Sequence, residues 1–266
     1  MKIMKKIAVA VFAGAMVFGL ASCGAGDDDP NNMISGSNKV YTIDYTNESE
    51  DVVSRGYHST AYKHAGAAVQ LDFENASNTV GGGVMGLIFD LEEKDGVKSF
   101  NVIGVKTNNA NGELGYYVSR FENVTDIQAE NFGTKLKENP AKETVYVTAF
   151  AKANGVKNAE KDTITVYAYA IEKLNTATQK YEYEVYLLYA DTQIGKLDKD
   201  GNLVAEDGTA IDLSGVKPVA TIPTEYTGSQ PAQKKLAVYA NVYAGKTLKG
   251  TWTYRGDYKE VGVDED

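Results

Sequence analysis

Apolar and polar residues alternate along most of the chain after Lys39, and the period is two. In Thr163–Ile171, Ile164, Val166, Ala168 and Ala170 share one face, while Thr165, Tyr167, Tyr169 and Ile171 share the other. That spacing predicts a strand with an aliphatic inner face, because successive strand side chains point to opposite sides. Leu236–Tyr243 repeats it, with Leu236, Val238, Ala240 and Val242 opposing Tyr239 and Tyr243. Val145–Ala151 does so again, setting Tyr146, Thr148 and Phe150 against small aliphatics. Further strands are expected at Val40–Thr46, Ala67–Phe73, Val84–Leu91, Ser99–Lys106, Leu114–Glu122, Tyr181–Tyr189 and Gly250–Tyr254.

Turn signals separate these runs. Asp95-Gly96, Asn111-Gly112, Asn154-Gly155, Asp200-Gly201 and Asp207-Gly208 supply the positive φ that tight hairpins need. The Gly81-Gly82-Gly83 run lacks a following Gly-Lys-Ser/Thr and is expected as a turn into a buried strand, not a phosphate loop. One short helix is expected near Asp126–Leu136, and Gly215–Gln233, with three prolines, as a long connection. Strands this numerous bury their faces by packing sheet on sheet, so the expected fold class is all-β, an antiparallel β-sandwich. The Val-Tyr pairs at 145, 166, 185 and 238 are unevenly spaced, which argues against a solenoid or propeller.

Residues 81–89, 100–105 and 115–121, followed by Leu236–Tyr254 with Gly250-Thr251-Trp252, resemble the strand succession of concanavalin-like and laminin-G-like jelly rolls. The resemblance covers about half the chain by pattern and implies a jelly-roll sandwich. It assigns no activity.

The N-terminus is built differently. Lys2, Lys5 and Lys6 precede an apolar run, Ile7–Leu20, of 14 residues. That is the length of a signal-peptide core and short of the roughly 20 residues a spanning helix needs. Leu20-Ala21-Ser22-Cys23 then resembles a bacterial lipobox, which implies cleavage before Cys23 and lipid on that residue. Two or three acyl chains, at about 0.8 kcal/mol per buried methylene, would anchor the protein to a membrane. Residues 1–22 are thus expected as a signal peptide, and 23–38 as a flexible tether, with residues 39–255 as the sandwich and 256–266 as an acidic tail. Asp27-Asp28-Asp29 is similar to surface-export signals of some Gram-negative lipoproteins, and Gly24 is not the Asp typical of inner-membrane retention. The resemblance implies an outer-membrane lipoprotein facing outward, and an acidic linker explains the triplet equally well.

Composition sharpens this picture at two points. The only Cys of 266 residues sits at the lipobox, so no internal disulfide or Cys-based zinc site is expected, and with two histidines no metal or cofactor is assigned. The net charge of −9 becomes −12 once residues 1–22, with three lysines and no acids, are removed, which excludes a nucleic-acid partner held by a basic patch.

Candidate chemistry is sparse. His58 and His64 fall in Arg55–Gly66, expected as a loop, at a spacing that matches no ligand pattern. Glu182 and Glu184 share a strand face without the Glu-x-Asp-x-Glu run that glycan hydrolases of the concanavalin-like fold carry, so no catalytic residue is assigned. Asp198–Asn202 resembles the middle of an EF-hand loop, but alignment on Gly201 puts Lys196 at the first ligand position, and a hairpin is expected instead. The 18 tyrosines are the most informative residues. Tyr146, Tyr167, Tyr169, Tyr239 and Tyr243, with Trp252, are the candidate binding residues, since one sheet displaying them would suit sugar stacking or protein contact. The expected function is therefore non-catalytic binding of glycan or protein by a lipid-anchored envelope lipoprotein. A concanavalin-like glycoside hydrolase and a purely structural lipoprotein stand as alternatives.

Overall fold

A computed structural model describes residues 40–51, 53–62, 66–75, 79–108, 112–127, 143–154, 156–158, 160–189, 195–198, 200–225 and 234–256. The leader, Cys23, the tether and His64 lie outside the described residues, as do positions 128–136 of the expected helix and 257–266 of the expected tail.

In chain order the strands are β1 (Val40–Thr46), β2 (Val53–Tyr62), β3 (Gly66–Phe73), β4 (Gly83–Lys94), β5 (Val97–Thr107), β6 (Glu113–Val124), β7 (Glu143–Asn154) and β8 (Val156–Asn158). There follow β9 (Thr163–Asn175), β10 (Lys180–Tyr189), β11 (Lys196–Leu197), β12 (Leu203–Val204), β13 (Ala220–Pro223), β14 (Lys234–Val242) and β15 (Thr247–Tyr254). A seven-stranded sheet runs β1-β15-β3-β9-β10-β13 with β8 also on β9, and a six-stranded sheet runs β2-β14-β4-β5-β6-β7. The ladders are antiparallel throughout. The chain begins by alternating between the sheets, β1 to β4, and ends by crossing back, β14 to β15, so its two ends interleave. The result is the all-β antiparallel sandwich expected from the alternation, with the jelly-roll arrangement that the resemblance implied.

The core lies between the sheets and follows from strand parity. Ile164, Val166, Ala168 and Ala170 of β9 and Leu236, Val238, Ala240 and Val242 of β14 belong to one apolar cluster with Phe73, Phe89 and Trp252. Each fully buried aliphatic or aromatic side chain there contributes roughly 1.5–3 kcal/mol of transfer free energy. Asp95 and Gly96 both have positive φ, 54° and 77°, which is the mirror-image turn that matches the right-handed twist of the β4–β5 hairpin. Gly81 enters β4 at φ 66°, as a turn glycine should.

Two expectations change and one holds. Arg55–Gly66 is not a loop, because most of it is β2, with His58 opposite Val238 of β14. Its residues are largely polar, so no hydropathy period marks it, and as an edge strand it needs only one partner. The connection 215–233 contains β13 on the edge of β10, with Pro223 at its end, where the missing N–H breaks no central ladder. Asp198–Asn202 joins β11 to β12, as the hairpin reading requires, and Asp198 Oδ1 accepts the N–H groups of Asp200 and Asn202.

Candidate functional site

The six aromatic candidates do not share a surface, because their strands belong to different sheets. Tyr167 and Tyr169 lie on the outer face of the seven-stranded sheet, rings stacked at 6.3 Å. The Tyr169 hydroxyl donates to Gly195 O at 2.6 Å, under the segment that carries β11, β12, Ile211 and Leu213. Tyr239 and Tyr243 occupy the opposite outer face, on the six-stranded sheet. Trp252 sits between the sheets at 1% exposure and donates its Nε1–H to Tyr239 O at 3.0 Å. Tyr146, on the edge strand β7, is half-buried against the central core. Tyr167, Tyr169 and Tyr239 expose 3% or less of their surface, so the single aromatic platform imagined from the sequence is replaced by packed tyrosines. Alternation reports which residues of a strand share a face. It carries no information on which sheet the strand joins.

Tyr239 belongs instead to a row that crosses four strands. Tyr239 pairs with Gly86, Gly86 with Gly104 and Gly104 with Tyr117. Both rings lie over the glycines and their hydroxyls meet at 2.6 Å. A Cβ on Gly86 would stand 2.5 Å from Tyr239 Cε1, and one on Gly104 would overlap the Tyr117 ring. Burial pushes the Tyr239 phenol far above its ordinary range.

The outer face of the seven-stranded sheet is divided. One half is covered by Leu197, Leu203, Ile211 and Leu213, and the other carries a part-exposed polar cluster centred on Asp72 of β3. Register places Thr251 of β15, Asp72, and Thr165 of β9 in one cross-strand row. Gln70 stands two residues along β3, opposite Tyr167. The Asp72 carboxylate accepts from Thr165 Oγ1 at 2.5 Å, Gln70 Nε2 at 2.8 Å and Thr251 Oγ1 at 3.4 Å. Its flanks are ion-paired: Lys249 holds Asp44 at 3.0 Å, and Arg255 holds Glu206. Tyr167 lies within reach of these charges. Burial first, then Asp72, pushes its phenol up to about 12, with Glu206 adding and Arg255 opposing. Its hydroxyl makes no hydrogen bond among the described residues.

Farther along the same face, Glu184 of β10 bonds Lys173 and accepts the Tyr186 hydroxyl at 2.6 Å. Burial raises its carboxyl, but Lys173 and Tyr186 outweigh that and hold it below the usual range. Glu182 is occupied by Asn175 at 3.0 Å. Among the described residues, no three His, Cys, Asp or Glu side chains gather where they could hold a metal ion.

The Asp72 cluster was missed from sequence because its members are 72, 165 and 251, brought together by register alone. The signal available was local: Gln70 and Asp72 are polar on the outward parity of a strand whose other positions are apolar.

No family model matches the chain, and no curated protein matches it. Among solved structures it is similar to the CBM2 module of an evolved Dit from Lactobacillus casei BL23 phage J-1, at 10% identity and TM-score 0.38, over 87% of this chain and 82% of that one. It is also similar to a beta-porphyranase from the human gut bacterium Bacteroides plebeius, at 10% identity and TM-score 0.20, over 85% of this chain and 68% of that one. At these scores neither likeness bears on what the chain does.

Proposed function

We propose that the chain is a lipid-anchored protein of a bacterial envelope that binds glycan, without catalysis, through the open half of its seven-stranded sheet. The observation that carries the binding reading is the Asp72 cluster, in which side chains from three strands are held by one another's hydrogen bonds on an accessible face. A flat array of this kind is preorganised, so a ligand orders few further side chains. The anchor rests on Leu20-Ala21-Ser22-Cys23 at the end of the apolar leader. Placement at the outer membrane, facing outward, rests on Gly24 and the acidic triplet. The non-catalytic reading is supported by Glu184, whose partners hold it ionised, whereas a glycosidase acid must keep its proton near neutral pH.

Two experiments on the full chain test this. Labelling with a fatty-acid probe is expected to mark wild type and not Cys23→Ser, and membrane sedimentation should be lost with the label. A glycan array probed with the detergent-solubilised protein should give retained ligands without release of reducing ends. Labelling of Cys23→Ser, or reducing-end release, would overturn the corresponding part.

A further inference from the structure

We infer that the Asp72 cluster recognises a neutral, hydroxyl-rich glycan, by accepting hydrogen bonds from its hydroxyls along the row Thr251–Asp72–Thr165. This rests on the glycan-binding reading above and names the ligand's chemistry.

The direction of the hydrogen bonds decides it. An ionised carboxylate only accepts, so the Thr165 and Thr251 hydroxyl protons and one Gln70 N–H point inward at Asp72. What these groups turn outward is therefore mostly lone pairs: the two threonine oxygens, the Gln70 carbonyl oxygen and the remaining capacity of the carboxylate. An acceptor-rich face needs a ligand that brings donors. Sugar hydroxyls do so, and each can also accept in return. The row crosses three strands spaced about 4.8 Å apart, so it spans roughly 10 Å, the reach of a disaccharide.

Charge excludes the acidic alternatives. Lys249 and Arg255 are each matched by an acid, Asp44 and Glu206, which leaves Asp72 as the uncompensated charge of the cluster. The mature chain adds a field of net −12. A uronate or sulfate ester set on this face would meet both like charge and acceptors facing acceptors.

The test is equilibrium titration of the full chain, solubilised in detergent, against dextran, laminarin, galactomannan and arabinoxylan, with alginate and chondroitin sulfate as acidic counterparts. At least one neutral polymer should bind and neither acidic one should. Asp72→Asn, which replaces an acceptor with an amide that also donates and so unravels the donor order, should weaken binding about tenfold or more, or about 1.4 kcal/mol. Thr165→Val, a nearly isosteric change, should weaken it severalfold while leaving the melting profile close to wild type. Neutral binding unaffected by both variants would overturn this inference and leave the glycan reading standing. Preferential binding of alginate or chondroitin sulfate would also overturn the inference. Binding of none of the six would remove the glycan reading itself.

Discussion

Replacing Gly104 by alanine puts a methyl group where the Tyr117 ring lies. The built Cβ overlaps Tyr117 Cε1 and Cζ and stands 2.5 Å from its hydroxyl oxygen, and no flexible chain end can yield, since the obstacle is a ring buried to 5% exposure. The ring must leave the sheet surface, and with it goes the 2.6 Å bond to Tyr239. Overpacking of this kind costs about 1–3 kcal/mol, and a lost buried hydrogen bond adds about 1 kcal/mol. The sum, roughly 2–4 kcal/mol, corresponds to a fall of about 5–15 °C in melting temperature for a domain of this size. Urea unfolding followed by circular dichroism measures it, with Tyr117→Phe as the partner variant, which loses the hydroxyl alone and should cost about 1 kcal/mol. In the double variant Gly104→Ala/Tyr117→Phe the costs should fall short of additive, because the hydroxyl bond is already gone. A Gly104→Ala protein within about 0.5 kcal/mol of wild type would refute the claim that the glycine floor is fitted to the ring.

Two further outcomes follow from the same packing. Burial raises the phenols of Tyr41, Tyr169, Tyr186 and Tyr239, and lifts Tyr167 and Tyr243 to about 12. A raised folded-state value favours the neutral phenol, so this stability is complete below pH 10 and lost as pH rises from about 10 to 12, at up to about 1.4 kcal/mol per pH unit for each group. Tyrosinate absorbance at 295 nm should therefore rise in two stages, the second together with loss of the β signal; a single stage near pH 10 with the fold intact would contradict it. Tyr183→Phe removes the hydroxyl that donates across the sandwich to the buried Asp90 at 3.2 Å, and should cost about 2 kcal/mol in urea unfolding, with no change in glycan binding.

How much of this was legible in the chain depends on the range of the interaction. Parity along one strand is local: the inward faces of Thr163–Ile171 and Leu236–Tyr243 hold in the structure, residue by residue. Turn chemistry is local too, as Asp95-Gly96 shows. Sheet membership is not local, so Tyr167 and Tyr239, alike in sequence context, stand on opposite outer faces. Edge pairing hid β2, whose polar residues show no period, and two-residue strands such as β11 and β12 are too short to repeat a period. Glycine carries a double meaning that sequence alone leaves open. Gly81 and Gly96 turn the chain, whereas Gly86 and Gly104 make room for rings three strands apart. The Asp72 cluster combines residues separated by 93 and 179 positions, which only the register of β15, β3 and β9 unites.

Hydrogen–deuterium exchange of the full chain, with and without a saturating neutral glycan, tests the location of binding most directly. Protection is expected in β3, β9 and β15 around Asp72, Thr165 and Thr251, with β4, β5 and β6 unchanged. Protection confined to the six-stranded sheet would contradict the binding face assigned to this protein.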